Sequence, residues 1–392
     1  MDRARGVVPN YSTFVDGCKR LIMGDSSHVS DVALHNLLRE TVSLEARRAQ
    51  GVFFTGSKMA SLLWEGVIDG VGNGAVLVDP ACGVGDLLVA PLERVERNGI
   101  QDVSVLVSDV SADLAQIARM RLLNIDQRGA VQIEAMEADF LHESSLVSKA
   151  THVVLNPPFV SMDANESWAS GQVNSAALFV VNALASMQEG ARLLAILPDV
   201  LRSGSRYEKW RLHVSQMAKI NRLKVLDVFD DHADIHVFVL DLTVGSTGRD
   251  FLWTPSIRDT TLGQMAEVRV GSVVPYRDSG RGSEVSFVTA RALAEGRKLE
   301  RRYEGRLDYG PFVLVNRTSR PDSSPRLRAH MWTSDEPVAV ENHLIVVKPR
   351  EGVECADILT VLSSPSTEDF LNQRIRCRHL TVSAIKEIPW EI

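Results

Sequence analysis

No stretch of about 18 residues in this sequence is both apolar and free of charge, and that length is the minimum for a helix that crosses a bilayer. The N-terminal residues include Asp2, Arg3 and Arg5 and lack the apolar core of a signal peptide. No Cys-x-x-Cys pair occurs, so neither a disulfide framework nor a zinc site is indicated. These absences predict a cytoplasmic protein without a metal. The scattered cysteines are Cys18, Cys82, Cys355 and Cys377.

An overall excess of positive charge is also missing, because the formal net charge is −7. This balance argues against a basic coat over the whole surface. Residues 297–328 differ, with nine Lys or Arg against four Asp or Glu. This local excess could face phosphates, or it could be a solvated face with internal ion pairs.

Between about residues 75 and 245 the sequence alternates short apolar runs with helical segments. This pattern predicts an α/β fold with a mostly parallel, doubly wound sheet covered on both faces by helices. The turn at residues 230–234 is short enough to make the last two strands antiparallel. Such a seven-stranded sheet resembles that of the S-adenosylmethionine-dependent methyltransferases. The predicted strands are Ala75–Val78, Val103–Ser108, Val131–Ala135, Thr151–Leu155, Leu193–Leu197, Leu223–Val228 and His236–Val244.

The pattern divides the chain into three parts. For residues 1–48 the sequence predicts an N-terminal helical arm, in which Ser30 and Asp31 can cap a segment with apolar residues at helical spacing. Residues 49–247 predict the catalytic domain, and residues 248–392 a smaller mixed α/β domain. Strands of that last domain are predicted at Glu267–Val270, Val273–Tyr276, Phe312–Val315 and Leu344–Val347.

The first predicted strand runs into a glycine-rich turn with the sequence DPACGVG, from Asp79 to Gly85. A turn of this kind lets a ligand approach bare backbone, and it lies at the carboxyl ends of the strands, where open α/β sheets bind ligands. The turn therefore predicts a cofactor site. Cys82 has no base within the turn, which favours a small lining residue over a nucleophile.

Two further strand ends carry carboxylates. Asp109 lies thirty residues after Asp79, the first residue of the turn, where a doubly wound fold places an acid on ribose hydroxyls. Asp139 follows the third strand and could accept from an adenine amine, with Phe140 beside the ring. Each acid could instead be a surface residue.

The fourth strand ends at Asn156, Pro157, Pro158 and Phe159. Two consecutive prolines hold the backbone stiff and cannot continue a strand ladder. Asn156 is restricted to an extended conformation and presents its amide oxygen beside the Asn156 and Pro157 carbonyls, while Phe159 offers a flat apolar face. These features suit an amino group on an aromatic base. Taken alone, the tetrapeptide could equally be a rigid turn.

In their order along the chain, these motifs resemble those of the gamma class of DNA amino-methyltransferases, which make N6-methyladenine. In that family a threonine-bearing segment precedes the cofactor loop, and a target-recognition domain follows the tetrapeptide. The threonine segment here is Arg48-x-x-Gly51-x-Phe53-Phe54-Thr55, and Gly56 stands where the family usually has proline. Weaker resemblance to recognition-domain segments continues in Tyr309–Arg317, Val340–His343 and Arg376–Ile385.

The resemblance implies S-adenosylmethionine as the cofactor. Thr55 and the turn residues Ala81, Cys82, Gly83 and Gly85 would hold its methionine moiety. Asp79 would orient the ammonium through the loop.

The ribose and adenine of the cofactor would be bound by other strand ends, according to the same resemblance. Asp109 would take the ribose hydroxyls, and Asp139 with Phe140 would bind the adenine. Asn156 would contribute to this site as well.

The resemblance also implies double-stranded DNA as the partner and a flipped-out adenine as the target, because N6 cannot otherwise leave the base stack. Asn156 and the Pro157 carbonyl would accept the two amino hydrogens, and Phe159 would stack on the base. Phe229 is the candidate for the second stacking face, with core packing as its rival role. The candidate DNA contacts are Arg301, Arg302, Arg306, Arg317 and Arg320.

The sequence fits other methyl-transfer reactions less well. A cytosine C5 enzyme needs a cysteine after a proline, and no Pro-Cys dipeptide occurs. Cytosine N4 chemistry fits Asn156 less well than adenine N6 chemistry does. An RNA or protein-glutamine methyltransferase and a non-catalytic DNA-recognition subunit stay open. No nuclease motif is evident, so any restriction activity would reside on a separate cognate endonuclease.

Overall fold

The chain is described by a computed structural model over residues 11–24, 30–50, 54–228, 235–245, 251–255, 260–277, 279–321 and 323–391. Gly51, Phe53 and the stacking candidate Phe229 lie outside these described residues. The chain divides into two compact units. The first unit comprises Met1–Arg202 and Tyr207–Phe251, and the second comprises Ser203–Arg206 and Leu252–Ile392.

The elements up to residue 244 follow the predicted alternation. The helices are α1 (Tyr11–Gly24), α2 (Asp31–Thr41), α3 (Leu44–Gln50), α4 (Gly56–Trp64), α5 (Asp86–Asn98), α6 (Ala112–Leu123), α7 (Ser175–Ser186), α8 (Asp199–Ser203) and α9 (Glu208–Met217). The strands are β1 (Val76–Asp79), β2 (Val103–Asp109), β3 (Val131–Glu137), β4 (His152–Leu155), β5 (Ser161–Glu166), β6 (Ala169–Asn174), β7 (Arg192–Pro198), β8 (Ala218–Val228) and β9 (His236–Val244).

Seven of these strands form one sheet in the order β3-β2-β1-β4-β7-β9-β8 within the described residues. Strands β1, β2, β3, β4 and β7 are parallel, and β9 lies antiparallel between β7 and β8. The predicted doubly wound sheet with its inserted last strand is therefore confirmed. This order brings the carboxyl ends of β1 and β4, which precede the two main motifs, to neighbouring positions.

The sheet forms because its central strands are apolar on both faces. All four residues of β4 are buried, as are the last three of β1, which is the pattern of a strand covered by helices on both sides. Helix α2 begins where predicted, because the Ser30 side chain accepts from the Ala33 N–H at 3.3 Å. Helix α1 precedes it within the predicted helical arm, for which the helical signal is recognised only from about Ser30.

A separate hairpin follows the Asn-Pro-Pro-Phe segment and was also not predicted. Strands β5 and β6 pair antiparallel from Ser161 with Asn174 to Glu166 with Ala169. Five of the six β5 residues are exposed, so the apolar signal that identifies buried strands is missing there.

The second unit contains two further sheets within the described residues. Its strands are β10 (Ala266–Val270), β11 (Ser283–Val288), β12 (Leu299–Tyr303), β13 (Phe312–Asn316), β14 (Ala329–Trp332), β15 (Val338–Val340) and β16 (Leu344–Pro349). Strands β10, β16, β13 and β14 form an antiparallel sheet, and β12, β11 and β15 form a mixed one. Its helices are α10 (Leu262–Met265), α11 (Ala290–Ala294), α12 (Cys355–Leu362), α13 (Pro365–Arg374) and α14 (Val382–Lys386).

The prediction of a strand at Val273–Tyr276 is wrong. Val273 makes a single bridge to Glu341, and the chain then turns, with the Arg277 N–H donating to the Val274 carbonyl at 2.9 Å. Pro275 explains the difference, because it has no N–H with which to continue a ladder.

Among the described residues, none of the helices is long and apolar enough to cross a membrane. Within the same residues, no group of three or more His, Cys, Asp or Glu is arranged to hold a metal ion.

Candidate active site

The glycine-rich turn after β1 is closed by its own backbone. The Ala81 N–H donates to Oδ1 of Asp79 at 3.2 Å, and the Gly85 N–H donates to the Cys82 carbonyl at 2.8 Å. Gly83 and Gly85 have φ angles of +51° and +83°, in the left-handed region that favours glycine. A Cβ at Gly85 would lie 3.2 Å from Cβ of Ala118 on α6, so the glycine also permits close helix packing.

Asp79 is buried under this turn, with 1% of its surface exposed. Burial raises the pKa of its carboxyl to about 8, against the hydrogen bond from Ala81 and with the help of the charges on Asp109 and Asp86. Its Oδ2 has no hydrogen-bond partner among the described residues. A cationic or N–H donor bound at this oxygen would favour the ionised, accepting form of the carboxyl.

Asp109 joins the end of β2 to the same turn. Its Oδ2 accepts from the Gly83 N–H at 3.1 Å, and its Oδ1 accepts from the Ser111 N–H at 3.0 Å. Burial raises the pKa of Asp109, although both hydrogen bonds act in the opposite direction. The carboxylate predicted to bind ribose thus lies directly beside the turn.

Cys82 lines the turn and is not activated. Its side chain is buried, and burial, with the charges of Asp79 and Asp109, raises the pKa of the thiol well above its ordinary value. A thiol with a raised pKa stays protonated, and the thiolate is the reactive form. This environment agrees with the prediction of a small lining residue.

The threonine segment meets the tetrapeptide directly. The Asn156 amide donates from Nδ2 to Oγ1 of Thr55 at 2.8 Å, across 101 positions of sequence. Thr55 occupies the position before α4 but does not cap that helix with its side chain. Its hydroxyl orients the amide instead, which assigns Oδ1 of Asn156 the role of acceptor.

A carboxylate that sequence reasoning did not assign to the site fixes the threonine segment. Oδ2 of Asp86 accepts from the Thr55 N–H at 2.9 Å and from the Gly56 N–H at 3.0 Å. One carboxylate therefore accepts from both backbone N–H groups at the start of α4. The sequence did carry a signal, because Asp86 is an ionisable residue between the turn and the apolar face of α5.

The backbone of the tetrapeptide is held by the residue that begins α7. The Ser175 hydroxyl donates to the Pro158 carbonyl and accepts from the Val160 N–H at 3.2 Å. Pro157 is buried, whereas Phe159 is half-buried and packs against the core of the first unit. The hairpin of β5 and β6 emerges between Val160 and Ser175.

The two residues predicted to bind the cofactor adenine differ in their exposure to solvent. Asp139 is exposed, with Oδ1 accepting from the Leu141 N–H at 3.0 Å and Oδ2 at 2.9 Å from Nδ1 of His142. Phe140 is 1% exposed and its ring contacts Phe179, with centroids 5.4 Å apart. The Phe140 ring therefore packs in the core beside Phe179, because the chain turns it inward directly after β3. Its contact with the cofactor adenine stays a prediction.

The five candidate DNA contacts divide between the two sheets of the second unit. Arg301 and Arg302 lie on β12, where Arg301 is half-buried and stacks on Phe287 at 5.2 Å. Arg306 is exposed and pairs with Glu267 at 3.3 Å. Arg317 and Arg320 follow β13, and Arg317 is half-buried and donates to the Asn342 carbonyl at 3.1 Å.

The three C-terminal segments that resemble recognition-domain sequences are adjacent. The Arg317 N–H donates to the His343 carbonyl at 3.0 Å, and the Leu380 N–H donates to the Arg317 carbonyl at 2.8 Å. Thr318 also bridges to His379. This places exposed His343 and His379 beside Arg317, a grouping that sequence separation conceals.

The order of the seven-stranded sheet and the glycine-rich turn at the end of β1 define a class I, S-adenosylmethionine-dependent methyltransferase fold. The family described as N-6 DNA methylase matches residues 31–204. This match, which spans 174 of the 392 residues, agrees with the resemblance to N6-adenine DNA methyltransferases that the motifs indicate.

A curated relative is the type I restriction enzyme MjaIX methylase subunit of Methanocaldococcus jannaschii, which is 26% identical over 175 residues. The alignment covers 40% of this chain, and the chain spans 30% of the length of that relative.

Two solved structures are similar at low sequence identity. One is from Listeria monocytogenes, described as a class I S-adenosylmethionine-dependent methyltransferase, with 17% identity, coverage of 61% of this chain and 83% of that chain, and a TM-score of 0.46. The other is the type IIG restriction endonuclease BpuSI, with 14% identity, coverage of 92% of this chain and 61% of that chain, and a TM-score of 0.48. At these scores neither structure indicates the reaction of this chain.

Proposed function

We propose that this chain transfers a methyl group from S-adenosylmethionine to N6 of a flipped-out adenine in duplex DNA, as the modification enzyme of a restriction-modification or related defence system. The observation that carries the proposal is the bond between Thr55 and Asn156 beside the glycine-rich turn. It joins the threonine segment to the tetrapeptide, two motifs that the family resemblance assigns to one site.

The residues around the turn fit the cofactor. Oδ2 of Asp79, buried and without a partner among the described residues, suits the ammonium of the methionine moiety or an N–H that contacts it. Gly83 and Gly85 keep the backbone of the turn free of side chains, and Asp109 offers carboxylate oxygens for ribose hydroxyls. When bound, S-adenosylmethionine supplies the methyl group from its sulfonium.

Asn156 and Pro157 would activate the target nitrogen. The lone pair of an adenine amine is delocalised into the ring, so acceptors that hold its two hydrogens favour a more tetrahedral nitrogen. The Asn156 amide is already oriented by Thr55, which avoids reorganisation at the moment of reaction. No strong base is required, because the nitrogen becomes acidic once it is alkylated. Positioning therefore carries the rate.

The basic residues of the second unit would bind the DNA backbone. Arg302 and Arg320 are exposed and make no ion pair within the described residues, so they can meet phosphates without first breaking a bridge. Arg306 already pairs with Glu267, and Arg301 already covers Phe287. The adjacent Arg317, His343 and His379 form a polar surface suited to base edges or phosphates.

The test is methyl transfer from tritiated S-adenosylmethionine to duplex DNA, RNA and protein, followed by mass spectrometry of the labelled product. We expect N6-methyladenine from duplex DNA. The Asn156→Ala variant should bind cofactor by calorimetry but lose transfer, and a wild-type rate in that variant would refute the mechanism. Label in RNA or glutamine would establish the alternative methyltransferases. Failure to bind cofactor would indicate a non-catalytic subunit.

Sequencing would supply the target site. Single-molecule sequencing of DNA from cells that express the chain reports the modified base and its sequence context together. Modified adenine at a defined sequence is the expected result. If the DNA from these cells is unmodified although the purified chain binds DNA, the role of a recognition subunit would be favoured.

A further inference from the structure

The buried carboxylate of Asp86 is surrounded by four hydrogen-bond donors. It is the first residue of α5 and is 4% exposed. Oδ1 accepts from Nη1 of Arg121 at 2.6 Å, and Oδ2 lies 3.1 Å from Nε2 of His35. The same Oδ2 accepts from the Thr55 and Gly56 N–H groups at 2.9 and 3.0 Å. Segments about 50 residues upstream and 35 downstream therefore meet at this carboxylate.

The carboxylate is held in its charged form. Burial alone would raise the pKa of Asp86, but the His35 hydrogen bond and the charge of Arg121 lower it below its ordinary value. Arg121 is also buried and donates to the Val84 carbonyl at 3.0 Å, which fixes it beside the turn. A buried charge is retained when it is paired and hydrogen-bonded, as here. The ionised acceptor strengthens its bonds to Thr55 and Gly56.

We propose that Asp86 is a positioning residue for methyl transfer, which fixes the Thr55 backbone so that the Thr55 hydroxyl holds the Asn156 amide in its reactive orientation. The contacts form an unbroken series from Arg121 through Asp86 and Thr55 to Asn156. His35 is the point at which α2 joins this series. The inference rests on the proposed function, because it assigns Asn156 to the reacting nitrogen.

Gly56 is the residue that makes this arrangement possible. Its N–H donates to Asp86 and its φ is +70°, whereas proline has no N–H and a φ fixed near −65°. A Cβ at this position would lie 3.3 Å from Cε1 of His35. The glycine that departs from the usual proline is therefore matched to Asp86. Asp86 supplies by hydrogen bonding the rigidity that proline would supply covalently.

The test compares Asp86→Asn with the wild-type protein. An amide at this position keeps one acceptor oxygen in place of two and carries no charge. We measure the single-turnover rate of methyl transfer per cofactor-binding site and the exchange of the Thr55 and Gly56 amide hydrogens. We expect a rate loss of about 100-fold, since a displacement of about 1 Å at a positioned group costs that much. We expect about tenfold faster exchange at Thr55 and Gly56, as local opening becomes easier.

The rate per occupied site separates positioning from stability. A residue that only stabilised the fold would lower the fraction of active protein and leave this rate unchanged. Asp113→Asn is the matched control, because Asp113 also lies in the first turn of a helix and pairs with a cation, Lys19, but is exposed. It should change neither quantity.

Two milder variants keep the proposal testable if Asp86→Asn, which removes the carboxylate that pairs with Arg121, fails to fold. His35→Ala removes one donor from a side chain that is 19% exposed and should lower the rate partially, and His35→Gln, which keeps an N–H donor, should restore it. Wild-type rates and wild-type amide exchange in Asp86→Asn, or in His35→Ala where the former does not fold, would overturn the proposal. If the wild-type protein transfers no methyl group, the proposed function fails, and amide exchange alone decides the role of Asp86.

Discussion

Asn156 and Thr55 are joined by a hydrogen bond of 2.8 Å, although 101 positions of sequence separate them. The amide nitrogen donates and the hydroxyl accepts, so the direction of the Asn156 side chain is set before any base arrives. The segment that follows β4 and the start of α4 meet at this bond. A preorganised acceptor of this kind is worth more in a catalytic site than one that must reorient.

Replacing Thr55 by valine tests this bond with little change of shape. The variant leaves the Asn156 amide without its partner, and we expect the single-turnover rate to fall about tenfold, corresponding to about 1.4 kcal/mol. Ser57→Ala is the control, because Ser57 is exposed on the same helix. Equal rates for Thr55→Val and Ser57→Ala would show that the amide is oriented by other contacts.

Asp79 makes the stability of the fold depend on pH. Its pKa is raised from 3.8 to about 8 in the folded protein, so the unfolded chain releases this proton at lower pH than the folded one. Asp79 therefore destabilises the fold as pH rises between these values, by up to about 1.4 kcal/mol per pH unit. Asn at this position cannot ionise. Asp79→Asn should thus gain unfolding free energy relative to the wild-type protein between about pH 5 and pH 7.

Urea unfolding at a series of pH values measures this difference. The comparison with the wild-type protein removes the contributions of the other carboxyls, including Asp86, whose pKa is shifted downward. A constant difference between the two proteins across this pH range would mean that Asp79 titrates normally.

Gly85 should tolerate no side chain. Its φ is +83°, and a Cβ at this position would lie 3.2 Å from Cβ of Ala118, so both the backbone and the packing oppose Gly85→Ala. The left-handed conformation alone costs about 1–2 kcal/mol with a Cβ. We expect a loss of unfolding free energy of at least about 1 kcal/mol and weaker cofactor binding by calorimetry.

Gly70→Ala is the control for that variant, because a Cβ at Gly70 meets no atom within 4 Å and its φ is not in the left-handed region. Its stability and cofactor affinity should stay near the wild-type values. Similar losses in both variants would contradict a specific role for the turn.

Arg302 and Arg320 should contribute to the salt dependence of DNA binding. Replacing both by alanine should weaken binding to all sequences and reduce the slope of log K against log salt by about 0.9 for each lost phosphate contact. Arg326→Ala is the contrast, because Arg326 is fully buried and donates to the Asn372 side chain and the Ile375 carbonyl. It should lower stability instead. Fluorescence anisotropy at several salt concentrations measures the slope, and an unchanged slope in the double variant would refute these contacts.

The sequence determined the sheet and the location of its motifs. Apolar runs such as β4 are buried on both faces, and a strand of that kind can be recognised in the sequence without any tertiary information. The hairpin of β5 and β6 could not be predicted from the sequence, because its exposed residues show no periodic apolar pattern. Phe140 is a related case, since the sequence shows an aromatic residue but not the direction in which its ring points.

The tertiary structure alone decided how the motifs act on one another. Thr55, Asp86 and Asn156 are each visible in the sequence, but hydrogen bonds across 31 and 101 positions depend on how the chain folds back on itself. The same applies to the basic residues near 297–328, of which some are paired, one is buried and others are exposed. Local composition fixes which elements form, because their signals lie within a few residues. Partners of buried charges and amides are fixed only by packing.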